Sequence, residues 1–309
     1  MIINTGMRTD IPAFYAKWFI NRIKEGYVCV RNPYNPKQIS KYLLNPEVVD
    51  CIDFCTKNPQ PMLEYLEYLK DYNMVWYVTI TPYEKDIELN VPYIDNVIDS
   101  FIELRKKLPK SFIGWRYDPI LINKKYDVDY HINKFNYIAS KLKNYTDTCV
   151  ISFLDLYPKV IKNAPSLNPP TKEEQIILAK SFYQIAKANG MKLISCGEGS
   201  ELAQYGLIVN GCKSEDVFKK AIPYKLKLPK ICVRKECNCF MGNDIGEYNS
   251  CLHFCSYCYA NYSKDEVLKR VKYHDDNSPL LIGKIEKDDE IIEAKQYSYR
   301  LKEEQLTLF

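Results

Sequence analysis

Three cysteines in the last quarter of the chain have the spacing of a metal-binding loop. Cys251, Cys255 and Cys258 form the pattern Cys-x3-Cys-x2-Cys within the stretch CNCFMGNDIGEYNSCLHFCSYCYAN. Three thiolates on one short loop can bind three irons of a [4Fe–4S] cluster and leave the fourth iron without a protein ligand. An iron left open in this way can bind a substrate or cofactor, as the open position of a catalytic zinc does. The spacing therefore predicts an iron–sulfur cluster with an open iron.

Two other interpretations of this triplet stay open. A structural zinc site needs a fourth protein ligand, and His253 lies inside the loop, where it could bind only in a strained arrangement. The three cysteines could also be plain thiols. We favour the cluster because six of the twelve cysteines fall between Cys232 and Cys258, and such a density needs a chemical reason.

A second group of cysteines could form another metal site. Cys237 and Cys239 form a Cys-x-Cys pair just before the triplet, so a closed site needs two more ligands. Cys196 and Cys212 end consecutive strand–helix units and are expected at the same edge of the sheet. Four thiolates from these positions could hold an all-cysteine [4Fe–4S] cluster that relays electrons, or a zinc ion. The alternative is that Cys196 and Cys212 are buried thiols and that the pair binds nothing.

Charged side chains follow several of the predicted strands and are expected to gather at one edge of the sheet. Such a group is either a structural ion-pair network or a substrate site. In a substrate site, the two arginines would suit a carboxylate or phosphate through bidentate contacts. These candidate catalytic residues are Arg8, Asp10, Lys57, Arg116 and Asp118.

Seven short apolar segments alternate with amphipathic stretches of helical period, which predicts parallel strands with covering helices. No glycine-rich phosphate loop follows any of these segments. We therefore predict an α/β fold of the TIM-like (β/α) barrel type, complete or nearly closed, rather than an open doubly wound sheet. The predicted strands are Ile2–Gly6, Val48–Phe54, Met74–Ile80, Ser111–Trp115, Cys149–Leu154, Met191–Ser195 and the weaker Gly206–Asn210.

The chain changes character after Pro223, where it becomes first basic, then cysteine-rich and finally polar. We predict a barrel domain over residues 1–223. Residues 224–309 are predicted to form a cysteine-rich, cluster-binding segment and a C-terminal tail, with the cysteine-rich part folding back over the mouth of the barrel.

Composition narrows the possible classes of protein. A net charge of +4 is too mild to indicate nucleic-acid binding, and no apolar run approaches the roughly 20 residues of a membrane-spanning helix. The first residues lack the pattern of a secretory signal, so we expect a cytoplasmic protein without a membrane partner. In a reducing compartment, crowded cysteines indicate metal binding rather than disulfides. The sequence has no Ser/His/Asp arrangement and no H-E-x-x-H motif, so it gives no indication of a hydrolase.

The triplet, with Tyr257 before its last cysteine and Tyr259-Ala260 after it, resembles the signature of the radical S-adenosylmethionine enzymes. It is most similar to the version in spore photoproduct lyase and related DNA photolesion repair proteins. This resemblance implies that the open iron binds S-adenosylmethionine, with Tyr257 among the cofactor-binding residues. It also implies an electron donor such as a ferredoxin or flavodoxin, and radical chemistry on an unknown substrate. Here the triplet follows the last predicted strand, whereas in the superfamily it follows the first.

A longer resemblance spans nearly the whole chain. RTDIPAFY (Arg8–Tyr15), WRYDPI (Trp115–Ile120) and the cysteine-rich stretch, together with NPYNPKQIS, TKNPQPML and TITPYE, resemble the bacterial domain of unknown function family 1848. That family is noted for a C-terminal cysteine cluster similar to the radical one. The resemblance implies an architecture and a cluster, but no reaction.

Three functional hypotheses follow. The first is a radical S-adenosylmethionine-type enzyme, and the second is an iron–sulfur electron-transfer or redox module that does not use S-adenosylmethionine. The third is a DNA-associated lesion repair protein. The terminal QLTLF (Gln305–Phe309) resembles the peptide by which bacterial DNA polymerases and repair proteins bind the sliding clamp. Alternatively, this tail packs its Leu and Phe side chains against its own domain.

Overall fold

A computed structural model describes residues 1–109, 111–209, 211–229, 237 and 239–301. Cys232 and the clamp-like tail at Gln305–Phe309 lie outside these residues, so the interpretation of that tail stays a prediction.

The strands form two sheets. Seven strands pair in parallel in the order β8-β7-β6-β5-β4-β1-β9, and three form a smaller sheet in the order β10-β3-β2. In the smaller sheet, β2 and β3 are antiparallel, whereas β10 is parallel to β3. The strands are β1 (Ile2–Asn4), β2 (Tyr27–Asn32), β3 (Asn35–Leu43), β4 (Cys51–Thr56), β5 (Met74–Thr79), β6 (Phe112–Ile120), β7 (Thr148–Phe153), β8 (Lys192–Ser195), β9 (Asn243–Asp244) and β10 (Glu290–Glu293).

Helices connect the strands of the larger sheet. A 3-10 helix at Gln60–Leu69 joins β4 to β5, and further 3-10 turns cover Ser200–Tyr205 and Val271–Tyr273. Within the part of the chain that the structure describes, no helix has the length and apolar character needed to cross a bilayer. The α-helices are α1 (Ile11–Phe14), α2 (Ala16–Glu25), α3 (Ile94–Lys107), α4 (Val128–Leu142), α5 (Pro158–Asn163), α6 (Lys172–Ala188), α7 (Glu215–Lys219) and α8 (Lys264–Arg270).

The connecting helices cover one face of the larger sheet. Phe101 of α3, Phe135 of α4 and Phe182 of α6 are fully buried in one apolar cluster with Trp76 and Trp115 of the strands. The rings of Phe135 and Phe182 stack with their centroids 3.9 Å apart, and this contact stabilises the packing of α4 against α6. Because burying an aromatic side chain contributes roughly 1.5–3 kcal/mol, this face supplies much of the fold's stability.

The opposite face of the sheet is covered differently. Ile2, Val75, Val150 and Ile194, from four different strands, share a second buried cluster with residues between 212 and 240, including Phe218. In an open doubly wound sheet, connecting helices would cover both faces. The predicted parallel α/β architecture is confirmed. Among the described residues, however, no strand pairing joins β8 to β9.

Six of the seven predicted strands overlap observed strands of the larger sheet. Over its described residues, 206–209, the weak candidate Gly206–Asn210 contributes a single bridge, between Ile208 and Ile194. The segment after Pro223 supplies β9, which pairs with β1, and β10, which pairs with β3. The cysteine-rich region is therefore joined by hydrogen bonds to the first strand of the chain.

His131 of α4 is a buried, hydrogen-bonded core residue, as expected for a histidine that plays no part in a site. Its Nδ1 lies 2.8 Å from the Tyr117 hydroxyl, and its Nε2 lies 2.8 Å from the Leu121 carbonyl oxygen. Burial disfavours the imidazolium and lowers the pKa of His131 from 6.5 to about 4. The folded protein therefore holds this ring neutral at a pH where the unfolded chain binds a proton.

This difference makes the free energy of unfolding depend on pH. His131 contributes its full stability above about pH 6.5 and loses it as the pH falls toward 4, by at most roughly 3 kcal/mol. We expect the His131→Gln variant to lose stability less steeply than the parent chain over this range. Urea denaturation at several pH values measures the two slopes. Equal slopes would mean that folding does not lower the pKa of His131.

Candidate functional site

The loop that carries the triplet follows β9 and lies against the segment after β5. An isolated antiparallel bridge joins Cys255 to Glu88, and the Ser256 amide donates to the Ile87 carbonyl oxygen at 2.9 Å. The backbone N–H of Asn90 donates to the His253 carbonyl oxygen at 3.0 Å. Because the segment after β5 leaves the carboxyl end of that strand, the triplet is held at the sheet edge where α/β proteins carry their sites.

Side chains hold the two ends of this loop. The Tyr15 hydroxyl donates to the Ser250 carbonyl oxygen at 2.5 Å, and the Asn261 side-chain amide donates to the Cys251 carbonyl oxygen at 2.8 Å. Phe254 adopts a φ of 52°, a left-handed conformation that costs energy for a bulky residue. The loop therefore keeps a strained turn between its first two cysteines, held by contacts from outside the loop.

The three triplet thiols influence one another electrostatically. Burial raises the pKa of Cys251, and the charges of Cys258, Asp10 and Cys255 raise it further. Burial and the Glu88 carboxylate raise the pKa of Cys255. Within the described ranges, the sulfur atoms of the triplet do not all lie within 4.8 Å of one another or of a histidine nitrogen.

Glu88 is a buried acid at the centre of the site. One carboxylate oxygen, Oε1, lies 2.9 Å from Lys57 Nζ and 2.6 Å from the Thr81 hydroxyl, and it also accepts the Tyr257 hydroxyl. The side chains of Lys57 and Glu88 are only 14% and 3% exposed. Tyr257 lies between the last two cysteines of the triplet. The Glu88 carboxylate therefore connects Lys57, one of the candidate residues chosen from the sequence, to the triplet loop.

Asp10 connects the backbone after β4 to the triplet loop. Its Oδ2 lies 2.8 Å from the Lys57 backbone nitrogen and 2.8 Å from His253 Nε2. Its Oδ1 accepts the Ala13 amide at 3.1 Å and so caps α1. His253 therefore orients Asp10, and its other ring nitrogen, Nδ1, is buried without a hydrogen-bond partner.

The remaining charged candidates are also paired. Arg8 donates to the Asp244 carboxylate and, at 2.7 Å, to the Asp244 carbonyl oxygen. Arg116 Nη2 lies 2.5 Å from an Asp118 carboxylate oxygen. The five charged residues chosen from the sequence therefore lie in ion pairs or hydrogen bonds around the triplet and the second group of cysteines.

Three cysteines of the second group converge in the interior. The sulfur atoms of Cys196, Cys212 and Cys239 all lie within 4.8 Å of one another. Cys196 Sγ and Cys212 Sγ are 3.1 Å apart, and Cys212 Sγ and Cys239 Sγ are 3.5 Å apart. Cys237, the fourth predicted member, lies outside this compact group, but its side chain hydrogen-bonds to that of Cys239.

Positive charge and hydrogen bonds surround Cys212. Arg116 Nη1 donates to its sulfur at 3.0 Å. Hydrogen bonds from Cys196 and Cys239, with the charges of Arg116 and Lys213, hold the pKa of Cys212 well below its usual range. These surroundings therefore favour the thiolate form of Cys212, which is the form that binds metals.

A cavity of about 320 Å³ opens beside the triplet loop. Four basic side chains line it, and Tyr248 and Asn249 line it just before the first triplet cysteine. Lys159 also lies close enough to the Cys258 thiol to oppose the rise in pKa that burial causes there. The basic residues that line the cavity are Arg8, Arg31, Lys159 and Arg270.

Sequence reasoning missed several partners in these sites. Glu88 belongs to no motif and lies in the segment after β5, whereas Asp244 lies inside the cysteine-rich stretch, where only the cysteines were chosen as site residues. Lys213 follows Cys212 directly and forms a buried ion pair with Asp53, with Nζ and Oδ2 2.5 Å apart. The otherwise apolar run Val48–Phe54 contains two acids, Asp50 and Asp53, and an acid in a buried strand needs a partner, which is the one signal for Lys213 in the sequence.

The fold and the site define a parallel α/β protein with thiol groups gathered at the carboxyl edge of its sheet. The chain belongs to the family described as domain of unknown function (DUF1848), whose model matches residues 2–260. This match confirms the family resemblance of the sequence motifs, whereas the likeness to radical S-adenosylmethionine enzymes stays a prediction.

A solved structure from Bacteroides thetaiotaomicron VPI-5482, provisionally assigned as an alpha-L-fucosidase, is similar at 14% identity and a TM-score of 0.30. The match covers 54% of this chain and 53% of that chain, so the chain spans about half the length of that structure. A comparison with curated proteins finds no match.

Proposed function

We propose that Cys251, Cys255 and Cys258 hold a [4Fe–4S] cluster with an open iron, and that the chain is a radical S-adenosylmethionine-type enzyme with a substrate still to be identified. The observation that carries this proposal is the way the fold holds the triplet loop at the carboxyl edge of the sheet. An isolated bridge joins Cys255 to Glu88, and the hydroxyl of Tyr257, between the last two cysteines, donates to the Glu88 carboxylate. Three thiols on one short loop at this edge can bind three irons of a cube and leave the fourth iron open.

Among the described residues, the triplet sulfurs do not gather within 4.8 Å of one another as the ligands of one ion would, which favours a cluster over a single zinc ion. Each cysteine of a cube binds a different iron, so its sulfur atoms are spaced more widely than those of a mononuclear site. Nε2 of His253 is engaged with Asp10 at 2.8 Å, and among the described residues neither ring nitrogen forms a compact group with the triplet sulfurs. Three protein ligands then leave one position of the cube open.

The chain's own residues would orient the loop and keep the site polar on one wall. Lys57 balances Glu88, and Glu88 accepts the Tyr257 hydroxyl, which fixes the turn between Cys255 and Cys258. Asp10 and His253 fix the turn between Cys251 and Cys255. A site held this firmly meets the requirement that reacting groups be positioned before substrate arrives.

When bound, such a cluster supplies the electron that cleaves S-adenosylmethionine and starts radical chemistry, so a donor of the ferredoxin or flavodoxin type is part of the proposal. Lys159 lines the cavity beside the loop and would suit a carboxylate or phosphate of the cofactor or the substrate. The three arginines of the cavity, Arg8, Arg31 and Arg270, are already in ion pairs with Asp244, Asp289 and Glu247.

We also propose a barrel-like curvature of the larger sheet. The connecting helices contribute to one face, and Phe218, Leu226 and Phe240 help to fill the other, as side chains fill the interior of a barrel. The cytoplasm is the proposed location, because the eleven described cysteines are all free of disulfides and a reducing compartment keeps them so.

The proposal is tested by anaerobic reconstitution of the full chain with iron and sulfide, followed by reduction with dithionite and addition of S-adenosylmethionine. We expect 5′-deoxyadenosine to accumulate, and we expect none from a Cys255→Ala variant treated in the same way. A fully loaded, reducible cluster that forms no 5′-deoxyadenosine would overturn the proposal and favour an electron-transfer module instead.

A further inference from the structure

The compact group of Cys196, Cys212 and Cys239 comes from three separate parts of the chain. Cys196 directly follows β8, and Cys239 lies shortly before β9. Cys212 lies between Ile208 and α7, and Ile208 forms a bridge to β8. Cys212 and Cys239 are 3% and 2% exposed, and Cys196 is partly buried. Packing alone does not require three sulfur atoms to meet at one point in a chain of 309 residues.

The distances in this group distinguish three kinds of site. A disulfide would place two sulfur atoms about 2.05 Å apart, well below the 3.1 Å and 3.5 Å found here. A tetrahedral zinc site with Zn–S bonds of about 2.3 Å separates its sulfur ligands by roughly 3.8 Å. A [4Fe–4S] cube spreads its ligands over different irons and so needs a wider opening. The observed spacing is nearest to that of a single ion.

We propose that Cys196, Cys212 and Cys239 bind one zinc-class ion, with Cys237 as the fourth ligand, in a site that is separate from the triplet. Cys237 is 8% exposed, lies two residues before Cys239 and already hydrogen-bonds to its side chain. Four thiolates close the tetrahedron, so the site has no open position and its role is structural. This departs from the electron-relaying cluster that the sequence also allowed for these cysteines.

Outer contacts suit an anionic zinc–thiolate centre. Arg116 donates to the Cys212 sulfur at 3.0 Å, and the Lys213 amide donates to the Cys239 sulfur at 3.4 Å. Such donors reduce the charge on ligating sulfurs and fix their direction. Asp118 in turn holds Arg116 through two nitrogen contacts, at 2.5 Å and 3.2 Å.

The ion would fasten the inner segment of the chain to the sheet. It would join the carboxyl end of β8 to the residues before β9, and β9 leads directly into the triplet loop. The bound ion would cross-link the chain between β8 and β9. Among the described residues, this part of the chain is otherwise held to the sheet by apolar packing and a few hydrogen bonds. Binding the ion therefore stabilises the position from which the triplet loop starts.

The test uses the full chain with all three triplet cysteines changed to serine, purified without oxygen and analysed for metals. We expect about one zinc per chain in this variant and no iron. Replacing zinc with cobalt should give the intense sulfur-to-cobalt charge-transfer band of a tetrahedral thiolate site. Because the second group is intact in this variant, the result does not depend on the folding of a disrupted site.

A matched pair of variants locates the ion. Adding Cys212→Ser to the triplet variant should lower zinc content at least about tenfold, whereas adding Cys29→Ser, which changes a buried thiol of the smaller sheet, should not. Iron with acid-labile sulfide in the triplet variant would overturn the proposal in favour of a second cluster. A metal-free protein with Cys196 and Cys212 joined in a disulfide would overturn it as well. Neither result bears on S-adenosylmethionine cleavage, which the parent chain tests separately.

Discussion

Changing Cys255 to alanine should abolish stable iron binding at the triplet. Cys255 is the middle ligand, and its backbone is bridged to Glu88, so its sulfur is the one whose direction the fold constrains most. Losing an outer partner of a metal ligand typically costs about 10–100-fold in affinity, and losing the ligand itself costs more. After reconstitution and gel filtration, we expect iron and acid-labile sulfide to fall by at least about tenfold relative to the parent chain.

The matched control is Cys29→Ala, which removes a buried thiol from β2 of the smaller sheet. It should keep the full iron content, because Cys29 packs among apolar side chains and has no cysteine beside it in its cluster. The idea that the triplet binds the cluster would be wrong if both variants kept equal iron and sulfide. Equal loss in both would point to a general effect of misfolding.

The second large effect concerns stability. Lys213 and Asp53 form an ion pair whose side chains are 7% and 0% exposed, with Nζ and Oδ2 2.5 Å apart. Burial opposes the charge on Lys213, but Asp53 more than offsets this and raises the pKa of Lys213 above its usual range. Lys213→Met would leave the Asp53 carboxylate buried with only the Asn4 amide, 2.7 Å away, as a charge-stabilising side chain. We expect the free energy of unfolding to fall by about 3–5 kcal/mol.

Two further variants separate this effect from the loss of a long side chain. Lys37→Met removes an ion pair with Asp288 whose side chains are 60% and 69% exposed, and it should leave the denaturation midpoint unchanged. The double variant Lys213→Met, Asp53→Leu should recover most of the stability, since it leaves no unpaired charge. Guanidinium unfolding measures all of them. A Lys213→Met midpoint equal to that of the parent chain would show that solvent reaches this pair.

Local patterns in the sequence were enough to predict much of the fold. Six apolar segments became strands of the larger sheet because each alternates with a helix that has somewhere to bury its apolar face. The Thr-x-x-Glu pattern of Thr171 and Glu174 forms the capping box that starts α6, and Asp10 caps α1. The family motifs led to the correct family.

Long-range pairings were the part that the sequence could not predict. β3 pairs with β10, about 250 residues later, through backbone hydrogen bonds that leave no local signature. Glu88 reaches Lys57 and Tyr257 only because the triplet loop returns to the segment after β5. The cysteines were found because their spacing is chemical, whereas acids and lysines of the same sites are common residues with no spacing rule.

The measurement that tests the central claim most directly is electron paramagnetic resonance of the reconstituted, dithionite-reduced chain, recorded before and after S-adenosylmethionine is added. An iron left open by Cys251, Cys255 and Cys258 should change its spectrum when S-adenosylmethionine binds, and the change should saturate as more is added. A cluster signal that is the same with and without saturating S-adenosylmethionine would contradict the account.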